Sequence, residues 1–173
     1  RIRETRAASA LVRLLTHPTE RARLAAVEAL IAMRSGPALE GLKRTLVDGS
    51  RDVRIAAARG LGALRYAPAR GHLESLLSGK AVREADLTEK LAFFEAYADV
   101  GGVEAVEYLD KVLNGRGVLG RRQPAELRAC AATALGRIGS PAARSSLERA
   151  GGEVDTIVRG AVARALRREA PES

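Results

Sequence analysis

Apolar positions along this chain recur with the spacing of amphipathic helices, and one eight-residue phrase sets the rhythm. Arg23-Leu24-Ala25-Ala26-Val27-Glu28-Ala29-Leu30 returns as Arg54-Ile55-Ala56-Ala57-Ala58-Arg59-Gly60-Leu61 and, altered, as Lys90-Leu91-Ala92-Phe93-Phe94-Glu95-Ala96-Tyr97. Two further copies begin at Arg128 and Arg159. With the basic residue as position zero, positions two and six are small: Ala25/Ala29, Ala56/Gly60, Ala92/Ala96, Cys130/Ala134 and Ala161/Ala165. Residues four apart share a helical face, so the phrase predicts five helices whose small-residue stripe lets neighbours approach closely. Bulk comes from position seven (Leu30, Leu61, Tyr97, Leu135, Leu166) and from positions three and four.

After each of the first four phrases comes a break, at Ser35-Gly36-Pro37, Tyr66-Ala67-Pro68, Gly101-Gly102 and Gly139-Ser140-Pro141. Glycine as a helix stop and proline just inside the next helix are the expected punctuation. Second amphipathic helices are then predicted over about 37–48, 69–79, 102–113 and 141–150, anchored by Leu42, Leu76, Leu109 and Leu147 and their neighbours. No stretch alternates with period two, so no strand is predicted. The basic residues at 23, 54, 90, 128 and 159 are spaced by 31, 36, 38 and 31, which is the period of a solenoid. The prediction is an all-α, right-handed α-α superhelix of about ten helices in a single array over 1–173. Its modules fall at about 1–17 (a second helix only), 19–48, 51–79, 83–113, 124–151 and 154–169. Because it opens on Arg1 and on a second helix, the chain is expected to be a fragment of a longer protein.

Val53-Arg54-Ile55-Ala56-Ala57, Gly60-Leu61-Gly62 and Ala134-Leu135-Gly136 resemble the HEAT-repeat superfamily, in particular the short bacterial repeats of phycobilisome-lyase-like proteins. The resemblance covers nearly the whole chain. It implies the solenoid fold and a binding scaffold, and it is almost silent on activity. The third module departs most, since Phe93, Phe94 and Tyr97 replace small or aliphatic residues and require a different local core.

The net charge of +8 is unevenly spread. Residues 1–83 carry 16 basic and 7 acidic groups, 84–110 carry 1 and 8, and 111–173 carry 12 and 6, so the array runs basic, acidic, basic. A nucleic acid following its length would cross the acidic module and lose part of the counterion-release gain. Four of the five aromatics, Phe93, Phe94, Tyr97 and Tyr108, lie in that module, and there is no Trp, so basic patches with interleaved aromatics are missing. The charge excess is therefore read as solvated faces and compositional bias. Nucleic-acid binding of a DNA-glycosylase-like kind stays as the alternative. The lone Cys130 stands where the other copies have Ala and fits a small core position in a reducing, cytoplasmic setting. No apolar run is long enough to span a bilayer, and no membrane partner is expected.

Candidate chemistry is sparse. His17 and His72 are isolated from other ligands, and the His-Glu pairs that carry iron in deoxyhypusine-hydroxylase-like members are missing, so no metal, cofactor or catalytic group is expected. Gly115-Arg116-Gly117-Val118-Leu119-Gly120 matches the dinucleotide fingerprint in form but follows a helix and precedes Pro124, where that motif needs a strand and then a helix. The repeated basic residue is read as structural, bonding between neighbouring turns. Aligning the second helices puts Glu40, Glu74 and Glu107 in one column and Arg44, Lys111 and Arg149 one turn on, either as surface ion pairs or as an acidic strip for a basic or amphipathic peptide. The expected function is a non-catalytic, monomeric protein-interaction scaffold. Its expected contact residues are Glu74, Glu107, Tyr108 and Lys111 on the concave face, with Arg116, Val118, Leu119, Arg121 and Arg122 on the 114–123 loop.

Overall fold

The computed structural model describes residues 2–34, 36–117 and 120–168, and among these there are eleven α-helices and no strand. The five phrases form α2 (Glu20–Met33), α4 (Arg51–Ala63), α7 (Leu87–Gly101), α9 (Ala125–Ile138) and α11 (Thr156–Arg168). These first helices stack each on the next. The second helices are α1 (Ile2–Leu14), α3 (Gly36–Thr45), α5 (Arg70–Ser78), α8 (Val106–Asn114) and α10 (Pro141–Arg149). One helix is outside the pairing, the five-residue α6 (Lys80–Glu84), and it accounts for the long 36-residue step. The chain is an all-helical, HEAT-like solenoid.

A single apolar cluster runs between the two layers, from Leu15 and Val27 through Leu42, Leu61 and Leu73 to Leu109, Leu135, Leu147 and Val162. Phe93, Phe94 and Tyr97 are almost completely buried at its middle. Each such side chain contributes about 1.5–3 kcal/mol through burial. The aromatic substitutions in the third phrase therefore fill the core between the modules.

Close approach of the first helices depends on matched sizes. Position eight of one helix meets position six of the next: Ile31 against Gly60, Gly62 against Ala96, and Gly136 against Ala165. Where position eight is large, position six is glycine; where position eight is glycine, position six is alanine. A Cβ on Gly136 would lie 2.6 Å from the Ala165 Cβ, and one on Gly60 would lie 2.3 Å from the Ile31 side chain. The small-residue stripe thus works as predicted from α4 onward. Ala25 is the exception, being exposed, because no described helix lies beyond α2 on that side.

The position-zero residues close the turns between modules. Arg23 donates to both carboxylate oxygens of Asp48 at 2.8 and 2.9 Å and to the carbonyls of His17 and Pro18. Arg54 repeats this on Glu89 and on the carbonyls of Asp48 and Gly49. Lys90 bonds Glu126 at 2.6 Å, and Arg128 bonds Glu153 and the Leu113 carbonyl. Arg159 is exposed. Their structural reading from sequence agrees with these contacts.

Helix ends differ from the predicted punctuation in one respect. Gly139 ends α9 in the left-handed region, as expected, but α2 and α4 end on Arg34 and Arg65 at φ 50 and 47. At α4 the Tyr66 N–H reaches the Leu61 carbonyl and the Arg65 N–H the Gly62 carbonyl, a Schellman closure made without glycine.

Candidate partner-binding site at the third module

The second helices turn Glu40, Glu74 and Glu107 outward as predicted by their register, but two of the three are engaged within the chain. Glu40 accepts the Tyr66 hydroxyl at 2.6 Å and pairs with Lys43 at 2.8 Å, in place of the predicted Arg44. Its hydrogen bonds from Lys43 and Tyr66 hold the carboxyl below the ordinary range. Glu74 accepts the Tyr97 hydroxyl at 2.6 Å. Both bonds tie a second helix to a tyrosine more than twenty residues further on, and neither was visible in the sequence. The third, Glu107, makes the predicted i,i+4 pair with Lys111 at 2.7 Å, with both side chains largely exposed. An acidic strip free to meet a basic peptide is therefore not what the structure presents.

Tyr108 is half-buried. Its ring meets that of Tyr97 edge-on at 5.4 Å, and its hydroxyl lies 3.1 Å from the Ser78 Oγ. Burial above all raises the Tyr97 and Tyr108 phenols, so both are neutral. Together Glu74, Tyr97, Tyr108 and Ser78 make a chain of contacts across α5, α7 and α8. Beside it opens a cleft of about 160 Å³ walled by Leu77, Val112 and Leu127, with Arg83, Lys111 and Gln123 at its mouth. Helix α6 places Arg83 there, a residue that sequence reasoning missed because a five-residue helix leaves no periodic signal. Arg83 is exposed and has no acidic partner among the described residues.

The 114–123 connection leaves α8 abruptly. A Cβ on Gly115 would lie 2.3 Å from the Lys111 carbonyl oxygen, so only glycine fits this exit. Asn114 anchors the start by donating to Asp110 at 2.7 Å and to the Ser146 carbonyl at 2.9 Å. Burial pushes the Asp110 carboxyl up, but hydrogen bonds from Asn114 and Arg149 outweigh it and leave the group below its ordinary range. Within the loop the Gly117 N–H bonds the Arg121 carbonyl and the Gly120 N–H bonds the Gly117 carbonyl, both at 2.8 Å. Arg116 and Arg121 are exposed on this turn, whereas Arg122 pairs with Glu153 alongside Arg128. Val118 and Leu119, also expected at this rim, lie outside the described residues. Of the sequence-predicted residues, the cleft itself is lined by Tyr108 and Lys111.

Reactive chemistry is not concentrated here. Cys130 is fully buried, and that burial pushes its thiol up to about 12, so it stays protonated within the core. His17 accepts the Thr19 N–H on Nδ1 at 3.1 Å, and His72 is exposed on α5. Among the described residues no group of three or more His, Cys, Asp or Glu is placed to hold a metal ion. No helix of the described residues is long and apolar enough to cross a membrane.

A stack of paired helices with a small-residue seam and turn-closing arginines defines a helical-repeat protein. Comparison with family models gives the repeat its name: residues 1–62 match HEAT repeats and residues 53–79 match the PBS lyase HEAT-like repeat. Together these matches assign HEAT-type repeats to residues 1–79. Among solved structures it is similar to an engineered protein, at 24% identity over 94% of this chain and 78% of that one, with a TM-score of 0.53. It is also similar to human deoxyhypusine hydroxylase in complex with glycerol, at 15% identity over 97% of both chains and the same TM-score of 0.53. These two likenesses are likenesses of fold. A search of curated proteins gives no match.

Proposed function

We propose that the chain is a non-catalytic protein-interaction module that grips a peptide or protein partner at its third module. HEAT repeats generally serve protein interactions, and that general role supports the reading. The observation that carries it is the cleft between α5, α6, α8 and α9: an apolar slot beside Tyr108, rimmed by Arg83, Lys111 and Gln123, the last of these on the same connection that exposes Arg116 and Arg121. A half-buried tyrosine with an arginine rim is the composition of a binding hot spot. Lys43 neutralises Glu40 and Lys111 neutralises Glu107, while Glu74, bonded by the neutral Tyr97 hydroxyl, keeps its charge; against it stand Arg83, Arg116 and Arg121, none with an acidic partner among the described residues, so the balance here is positive. The partner segment that fits is acidic with an apolar side chain for the slot.

The test is a pull-down from extract of the source cell with three proteins: the wild type, Arg83→Glu plus Lys111→Glu, and a chain with 115–122 replaced by Gly and Ser. Loss of the same specific partners from both variants, each verified as folded by circular dichroism, is the expected outcome. Full retention of every specific partner by both variants refutes the site.

A further inference from the structure

Counted from position zero, the eleventh residue onward is Arg34, Arg65, Gly101 and Gly139, and the ninth is Asp99, Arg137 and Arg168 in the last three modules. These residues lie at the C-terminal ends of the first helices, the edge of the array where each module turns on itself. Arg65 holds there the left-handed conformation that Gly139 holds in the fourth module. A residue with a Cβ is disfavoured in this region, where its Cβ crowds the following carbonyl oxygen.

Between the ends of α4, α7, α9 and α11 lies a polar cleft of about 460 Å³, lined by Arg65, Asp99, Gly136, Arg137, Gly139 and Arg168. That is the size of a small-ligand site. Its one carboxylate is already used, because Arg137 donates to Asp99 at 2.6 Å. Arg65 and Arg168 are exposed and have no acidic partner among the described residues. The cleft thus holds three guanidinium groups and one neutralising charge.

We propose that this cleft binds a phosphomonoester dianion, free or carried on a protein side chain, through Arg65 and Arg168, with Arg137 as a fixed flank. Two unneutralised guanidinium groups match the near-double charge of a phosphomonoester at neutral pH. Their planar donors suit its oxygens better than a lysine would. A phosphodiester backbone fits less well: it carries one charge per phosphate and would have to pass the Asp99 carboxylate.

The measurement is isothermal titration at low ionic strength with phenyl phosphate, with an acetylated phosphoserine tripeptide and with a short single-stranded oligonucleotide. Arg65→Gly relieves the left-handed backbone and so keeps the fold, while Arg168→Gln keeps the helix. Each is expected to weaken binding of the monoester probes about tenfold or more, as loss of a charge-assisted hydrogen bond implies. Asp99→Asn is expected to tighten it. Stronger binding of the tripeptide indicates the protein-borne source and stronger binding of phenyl phosphate the free one; both support the site. The proposal is overturned if neither monoester binds at millimolar concentration, or if Arg65→Gly and Arg168→Gln bind them as the wild type does. It is equally overturned if only the oligonucleotide binds.

Discussion

Gly136→Ile transplants to the α9–α11 seam the large residue that Ile31 supplies at the α2–α4 seam. In the native seam a Cβ at 136 lies 2.6 Å from the Ala165 Cβ and 2.9 Å from its Cα, so the new side chain meets backbone and cannot be accommodated by a rotamer change. Helix separation is the only relief, and overpacking of this kind costs about 3 kcal/mol. Ala165→Gly alone loses a buried methyl, about 0.8 kcal/mol, and helix propensity, about 1 kcal/mol, for a total near 2 kcal/mol. If the two changes act independently, the double variant loses about 5 kcal/mol. Matched sizes predict about 3–4 kcal/mol, because glycine at 165 removes the Cβ contact and recreates the pairing of Ile31 with Gly60, while the Cα of residue 165 still demands a small shift. Urea unfolding followed by far-ultraviolet circular dichroism measures all four corners of the cycle. Since a terminal repeat can unfold separately, the transition should be fitted for the early, α11-dependent phase. A double variant no more stable than the sum of its parts refutes the size-matching account of the seam.

Glu153 gives a pH-dependent prediction: its hydrogen bond from Arg128, with Arg122 beside it, holds the carboxyl down to about 2. A folded value below the unfolded one means the stabilisation is complete above the ordinary carboxylate range and is lost as pH falls toward 2, so Glu153→Gln should lower Tm at neutral pH and flatten its acid limb; an unchanged limb refutes this. Tyr97→Phe removes a 2.6 Å hydroxyl bond to the Glu74 carboxylate and should cost about 1.5–3 kcal/mol, whereas Tyr108→Phe loses only the exposed Ser78 contact and should cost about 0.5–1 kcal/mol; equal losses would contradict the buried network.

The repeat made the architecture legible because a solenoid writes each module in the same positions. Arg23, Arg54 and Arg128 could be placed at turns, and Cys130 in the core, from their positions in the phrase alone. What the phrase does not encode is the bonding of a second helix to a tyrosine of the next module. Tyr66 reaches Glu40, and Tyr97 reaches Glu74, across 26 and 23 residues, and no periodicity links such pairs. Lys80–Glu84 was missed for a different reason: five residues span little more than one helical turn, too short for any face to repeat. The Arg34 and Arg65 helix ends were hidden because left-handed closure is ordinarily signalled by glycine.

The same limit explains the charge pattern, which was read as solvated faces and composition and proves to be a bonding scheme between modules. Of the carboxylates in 84–110, Asp86, Glu89 and Glu104 pair with Arg51, Arg54 and Arg70 of the preceding module, and Asp99 and Asp110 with Arg137 and Arg149 of the following one. The acidic module is thereby held from both sides by its basic neighbours. Pairs as exposed as Arg51 with Asp86 add little stability singly, while those with a buried carboxylate, such as Arg54 with Glu89, are screened less by salt. Their larger effect is on register. A module slipped by one turn would set Arg51 and Arg54 away from Asp86 and Glu89 and leave Glu89, almost fully buried, without its cation. The acidic charge of the centre is thus largely consumed inside the array. Arginines without such a mate remain, among them Arg83 in the third-module cleft, Arg116 and Arg121 on the loop that follows that module, and Arg65 and Arg168 at the C-terminal ends of the first helices, and both proposed contacts therefore call for an anionic group.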